Sequence, residues 1–196
     1  MSHKIINFDG YYKVKLTYFC IYFYKMSKRD LKKYLSELTK TQLEEQLVEI
    51  YDKFKDVKVY YDFVFNPNEK NLIKDAKIKI SNEYFPVRGK RPKLRRSVAQ
   101  KFIKHFISLG MDSFLIADLM IYNIEIAQTL SSERLITAES FYKSILLSYN
   151  QAVSFLIEKS ILYEFKSRIE AINSETINQN WSNAYEFNAI IERLDY

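Results

Sequence analysis

The sequence predicts an all-α protein: one domain of about eight helices, arranged as a bundle or an irregular α-superhelix. Three observations carry that expectation. Only 3 Gly and 3 Pro occur in 196 residues, too few for a β-sandwich or a Gly-rich nucleotide cradle. Apolar residues recur at helical spacing from residue 27 onward. At 47% hydrophobic and 28% charged, the chain has the balance of a globular protein long enough to bury a core.

Residues 1–25 stand apart. Their uncharged run Leu16–Tyr24 is nine residues long, far short of the roughly 20 that span a bilayer. No small-residue cleavage site follows it, which argues against a signal peptide. Its β-branched and aromatic content suits a short strand or an adhesive arm. Met26 directly precedes Ser27, a good N-cap with Asp30 three positions on. The expectation is that Met26 is the native start, that 1–25 is an extension outside the fold, and that 26–196 is the helical domain.

Leu31, Tyr34, Leu35 and Leu38 form the first helical stripe. Thr39, with Gln42 in the reciprocal position, caps a second helix whose stripe is Leu43, Leu47, Ile50, Phe54 and Val57, so 27–57 reads as a helical hairpin. Val57, Tyr61 and Val64 carry the helical step through "VKVYYDFVF". In "NPNE", Asn66 is expected to cap the next helix, with Pro67 at its first position and Glu69 reaching back. Leu72, Ala76, Ile80 and Tyr84 mark its buried face, and Pro86 stops it. A basic loop over 87–95 leads to a helix from Ser97 to Leu109, ended by Gly110. Asp112 or Ser113 caps a helix running to about residue 130. Thr137 opens a long helix with Phe141, Ile145, Tyr149, Ala152 and Leu156 on one face. Leu162, Phe165, Ile169 and Ile172 define the next helix, and Trp181, Tyr185 and Ile191 the last. No period of about 30 to 45 residues repeats convincingly, so a tetratricopeptide or ankyrin array is not expected.

Three stretches also carry a resemblance. "MSKRDLKKYLSELTKTQLEEQLVEIYDKFKDVKVYYDFVFNP", "RRSVAQKFIKHFISLGMDSFLIADLMIYNIEIAQT" and the helices around "ESFYKS" and "NQNW" resemble an uncharacterised bacterial family of small all-helical proteins, a domain of unknown function. The likeness spans most of 26–190 and leaves out 1–25. It implies an all-α cytoplasmic protein and brings no catalytic residues with it.

Composition narrows the function classes. The lone cysteine, Cys20, excludes an internal disulfide framework and fits a reducing cytoplasm. His3 and His105 are the two histidines, so a His-based metal site is not expected, and no cofactor is implied. The 16 Tyr and 14 Phe read as a chain-wide bias toward Lys, Ile, Asn, Tyr and Phe rather than as base-stacking platforms. No phosphate-binding loop, dinucleotide fingerprint, H-E-x-x-H, paired C-x-x-C or nucleophile elbow is present. These absences favour a non-enzymatic module.

Charge is concentrated. Residues 84–111 carry eight basic side chains and no acidic one, whereas 112–196 carry six basic and 12 acidic. Arg88, Lys90, Arg91, Lys93, Arg95 and Arg96 lie on the loop, and Lys101 and Lys104 continue along one helix face. Such a cluster holds phosphates through charge and forked Arg contacts without reading sequence. The competing reading is structural: arginines neutralising the acidic C-terminal half, or simply keeping the loop in water.

"FIKHFISLGMDSFLIADLMIYNIEIAQ" superficially resembles a helix-turn-helix, but its second helix is apolar all round and reads as a central core helix. Asp118, Tyr122 and Glu125 form its one polar stripe, at i, i+4 and i+7. A buried carboxylate needs a cationic partner, and the arginines of 88–96 are the expected source. The three functional readings are a module that docks on a nucleic-acid backbone or other polyanion through 88–104, a protein-interaction or self-associating module, and an unfamiliar enzyme using Asp118 and Glu125 near His105.

Overall fold

The computed structural model describes residues 27–87 and 91–194. The expectations about 1–25 and Met26, and those about Arg88 and Lys90, lie outside these residues. Among the described residues every regular element is a helix, nine in all. The chain divides into two compact units, one ending at Lys55 and one running from Asp56.

The first unit holds α1 (Lys28–Ser36) and α2 (Lys40–Lys53). Both start on capping boxes. Ser27 Oγ accepts from Asp30 N at 3.2 Å while Asp30 Oδ2 accepts from Ser27 N, and Thr39 and Gln42 repeat the exchange. Each box satisfies two donors that a helix start leaves without partners. The expected stripe to Val57 is interrupted. Phe54 is extended, at φ −116° and ψ 112°, so α2 stops at Lys53 and a new helix begins.

The second unit holds α3 (Lys55–Phe65), α4 (Glu69–Tyr84), α5 (Arg96–Leu109), α6 (Ser113–Glu133), α7 (Glu139–Glu158), α8 (Leu162–Asn178) and α9 (Ala184–Glu192). Its centre is α6, which packs against α4, α5, α7 and α8. Buried Ile116, Leu119, Ile121, Ile124, Ala127 and Leu130 spread over more than half of its circumference, so neighbours are needed on several sides. Asp112 starts the helix by accepting from the amides of Phe114 and Leu115 at 2.9 and 3.1 Å.

Several local expectations shift. Asn68, not Asn66, stands at the N-cap of α4, without a side-chain cap bond, and Ile73 rather than Leu72 completes its buried face. In α9 the buried residue is Phe187, while Tyr185 is 72% exposed. Trp181 lies before that helix, against Phe141 and Tyr142 of α7 and Phe187 of α9, at centroid distances of 5.8, 5.1 and 5.8 Å. The "ESFYKS" and "NQNW" stretches therefore meet in one aromatic cluster.

α5, α7 and α8 end alike. Gly110, Ser160 and Asn180 take left-handed φ values of 71°, 57° and 53°, and their amides donate to Ile107, Ile157 and Ile177 carbonyls. The next amides, of Met111, Ile161 and Trp181, donate to the carbonyls of Phe106, Leu156 and Thr176. This is the Schellman closure, with a buried apolar residue following the left-handed one. Only one of the three left-handed positions is glycine. Left-handed backbone costs an L-residue about 1 kcal/mol or more. Ser160→Gly is therefore expected to raise the unfolding free energy by about 0.5–1 kcal/mol, and Asn180→Gly by less, because Asn tolerates the conformation. Gly110→Ala, with nothing within 4 Å of an added Cβ, should lower it by about 1 kcal/mol through backbone strain alone. Urea denaturation of the three variants measures all of these shifts.

Candidate functional site

The basic segment divides in two. Arg95 and Arg96 are tied to the protein by hydrogen bonds. Arg95 forks onto Glu83 at the end of α4, with Nε and Nη2 each 2.8 Å from a carboxylate oxygen. The Glu83 carbonyl also accepts from the amides of Lys93 and Leu94, at 2.9 and 3.3 Å, so one residue clamps the loop. Hydrogen bonds from Arg95 outweigh burial and hold the Glu83 carboxyl below its ordinary pKa. Leu94 is left-handed, at φ 54°, an uncommon conformation for a bulky side chain, and it packs against the core. Arg96, half-buried, donates to Ser148 Oγ at 2.9 Å and Gln151 Oε1 at 2.5 Å on α7. Both acceptors are neutral. Among the described residues no ion pair joins the basic segment to an acid of 112–196.

Arg91, Lys93, Lys101 and Lys104 are exposed. Lys101 shares a shallow groove of about 430 Å³ with Lys79, Asn82, Arg95 and Phe102, between α4 and α5. Matching i, i+3, i+4 triplets build its two walls, Lys79, Asn82 and Glu83 from α4 and Val98, Lys101 and Phe102 from α5. On its other side Asn82 also lines a second groove, with Lys70, Lys74, Lys77, Ser81 and Tyr122. The two grooves share Asn82 but open on different sides of α4, Lys70, Lys74 and Lys77 on one and Lys79 on the other. Among the described residues, Lys70, Lys74, Lys79 and Lys101 have no ion pair. Each groove's ring is already covered by a lysine: Lys79 Nζ lies 5.4 Å from the Phe102 centroid and Lys77 Nζ 4.9 Å from that of Tyr122. The α4 lysines were missed in the sequence, although Lys70, Lys74, Lys77 and Ser81 repeat at i, i+4, i+7 and i+11 and so share one face.

The polar stripe of α6 is saturated. Arg168 of α8 forks onto Glu125, with Nε–Oε1 2.8 Å and Nη2–Oε2 2.7 Å, and its Nη1 reaches Asp118 Oδ1 at 2.8 Å. Lys77 takes the other Asp118 oxygen at 2.7 Å. The partners of the stripe are Arg168 and Lys77, and not Arg91, Arg95 or Arg96. Burial alone would raise the Asp118 pKa, but the bonds from Lys77 and Arg168 overcome it and lower the value. Arg168 is raised, chiefly by its bonds to Glu125. With every carboxylate oxygen accepting from a cation, the pair is poorly placed to abstract a proton. His105 is exposed and lies in a different depression, with Asp56, Tyr60 and Ser108. Among the described residues no group of three or more His, Cys, Asp or Glu could hold a metal.

The chain belongs to a family of unknown function, DUF6155, whose model matches residues 26–195. No curated protein and no solved structure matches the chain.

Arg168→Met would leave Asp118 and Glu125 facing each other with Lys77 as the one remaining cation. Destabilisation of about 2–3 kcal/mol is expected in chemical denaturation. Because the folded pKa of Asp118 is depressed, its contribution is fully present above the unfolded value of about 4 and fades as pH falls through the folded one. Asp118→Asn should lower stability at neutral pH and flatten its decline below about pH 4, as read from melting temperature against pH.

Proposed function

We propose that this member of a family without an assigned function is a non-catalytic, cytoplasmic helical module that holds the phosphate backbone of a nucleic acid along α4 and α5. One observation carries the reading: the two grooves that share Asn82 present Lys70, Lys74, Lys79 and Lys101, none of which has an acidic partner among the described residues. Clustered ammonium groups without ion pairs attract a polyanion and gain from the counterions the polymer releases. Lys104, Arg91 and Lys93 extend the positive surface from α5 and the loop. A purely structural role accounts for Arg95 and Arg96, which bond to Glu83, Ser148 and Gln151. It does not account for the outward lysines. Phe102 and Tyr122 lie beneath lysines, so base stacking is not expected to contribute, and neither is sequence preference.

Binding of the full chain to labelled single- and double-stranded nucleic acid across a salt series tests the reading. Log affinity should fall linearly with log salt, by roughly 0.7 to 0.9 per phosphate neutralised. Lys79→Gln and Lys101→Gln should each weaken binding to all sequences alike and reduce that slope by about 1. Absence of binding even at low salt would overturn the proposal.

A further inference from the structure

We propose that the α1–α2 hairpin is a self-association surface, on which two copies of the chain pair their apolar stripes as a four-helix assembly about a two-fold axis. No residue of either helix is buried. Leu31 and Leu35 on α1 are 43% and 36% exposed, and Leu47 and Ile50 on α2 are 45% and 40% exposed. These residues repeat at i, i+3, i+4 spacings, the pattern of a core-facing helix.

Charge selects a second copy as the cover. α1 carries Lys28, Arg29, Lys32 and Lys33 against Asp30, whereas α2 carries Glu44, Glu45, Glu49 and Asp52 against Lys40 and Lys53. Gln46 Nε2 donates to Tyr34 Oη at 2.5 Å, which fixes the edge at which the two stripes meet. At about 100° per residue, Lys28 and Lys32 then lie on the outer edge of the α1 stripe, and Glu44 on the outer edge of the α2 stripe. Lys40 shares that outer edge one turn earlier and pairs with Glu44 at 3.6 Å within the exposed surface. One hairpin thus carries both halves of a complementary pair, and two-fold symmetry uses each half twice. Apolar stripes supply the cohesion and the edge charges fix the pairing.

Sedimentation of the full chain over a wide dilution series tests this, with circular dichroism to verify that each variant keeps its helices. The wild type is expected to be a dimer that dissociates on dilution. Lys28→Glu with Lys32→Glu, or Glu44→Lys alone, should raise the dissociation constant about ten-fold or more at low salt. Combining all three reversals should restore dimerisation. Leu47→Asp should abolish it. A wild-type monomer at every concentration would overturn the proposal, since the stripe would then be covered within the chain or by another protein. So would a dimer indifferent to all of these changes.

Discussion

Helix α6 is covered round most of its circumference, and only the face of Phe114, Asp118, Glu125 and Thr129 reaches water. Helices α4, α5, α7 and α8 each cover a part of it. That packing orders the second unit. It also creates a difficulty, because Asp118 and Glu125 sit on the same helix and are only about one-third exposed. Charged carboxylates so placed require cations nearby. Lys77 enters from α4 and Arg168 from α8, so the network fixes the rotation of three helices about their axes as well as satisfying two acids. Polar core groups extend the same role. Gln128 donates to the Ile172 carbonyl at 2.8 Å, tying α6 to α8 a second time, and Tyr84 donates to Asn123 Oδ1 at 3.2 Å, tying it to α4. The Asn123 Nδ2 group is buried without a partner, and nothing in the structure accounts for that.

The α6 network has a consequence for the basic segment. Since Lys77 and Arg168 neutralise the stripe, nothing in the core requires the charge of residues 88–104. Two of its arginines serve as ties, one to Glu83 and one to α7. What those ties accomplish is placement. They hold the loop against the end of α4 and start α5 at Arg96, and α5 then lies alongside α4 with Lys79 and Lys101 lining one groove. A structural role for the tied arginines is compatible with the binding role proposed for the lysines without ion pairs.

Fold class and most helix positions were legible because the signals are local. Two capping boxes, Ser27 with Asp30 and Thr39 with Gln42, form as the sequence implies, and the apolar run 114–126 does become the central helix. Misreadings arose where local rules left near-equal choices. Asn66 and Asn68 are both acceptable caps beside Pro67, and one residue's difference rotates the buried face from Leu72 to Ile73. Phe54 fits the α2 stripe by period, so its extended backbone left no periodic trace. The partner of Asp118 was beyond reach for another reason. Arg168 stands 50 positions away, and its choice over the nearer arginines depends on how α8 packs, which no local pattern encodes. The groove of Lys79 and Lys101 likewise combines residues from α4 and α5 and becomes visible only when the helices are side by side.

The division of labour between arginine and lysine around α4 and α5 follows from their chemistry. Arg95, Arg96 and Arg168 each make at least two directed bonds, to Glu83, to Ser148 and Gln151, and to Glu125 and Asp118. A planar, weakly hydrated guanidinium suits that use, because it gives up little hydration and its fork fixes geometry. The groove positions without ion pairs, Lys70, Lys74, Lys79 and Lys101, all carry ammonium groups on flexible stems. An ammonium keeps its water at low cost when solvated and tolerates an imprecise partner. Tolerance suits a backbone of repeating phosphates, where register is not read and each contact is a point charge. Exposed Arg91 departs from the pattern. On this chemistry, replacing the groove lysines by arginine adds forked contacts rather than charge, whereas replacing Arg95 or Arg96 by lysine keeps the charge and loses the tie that positions the groove.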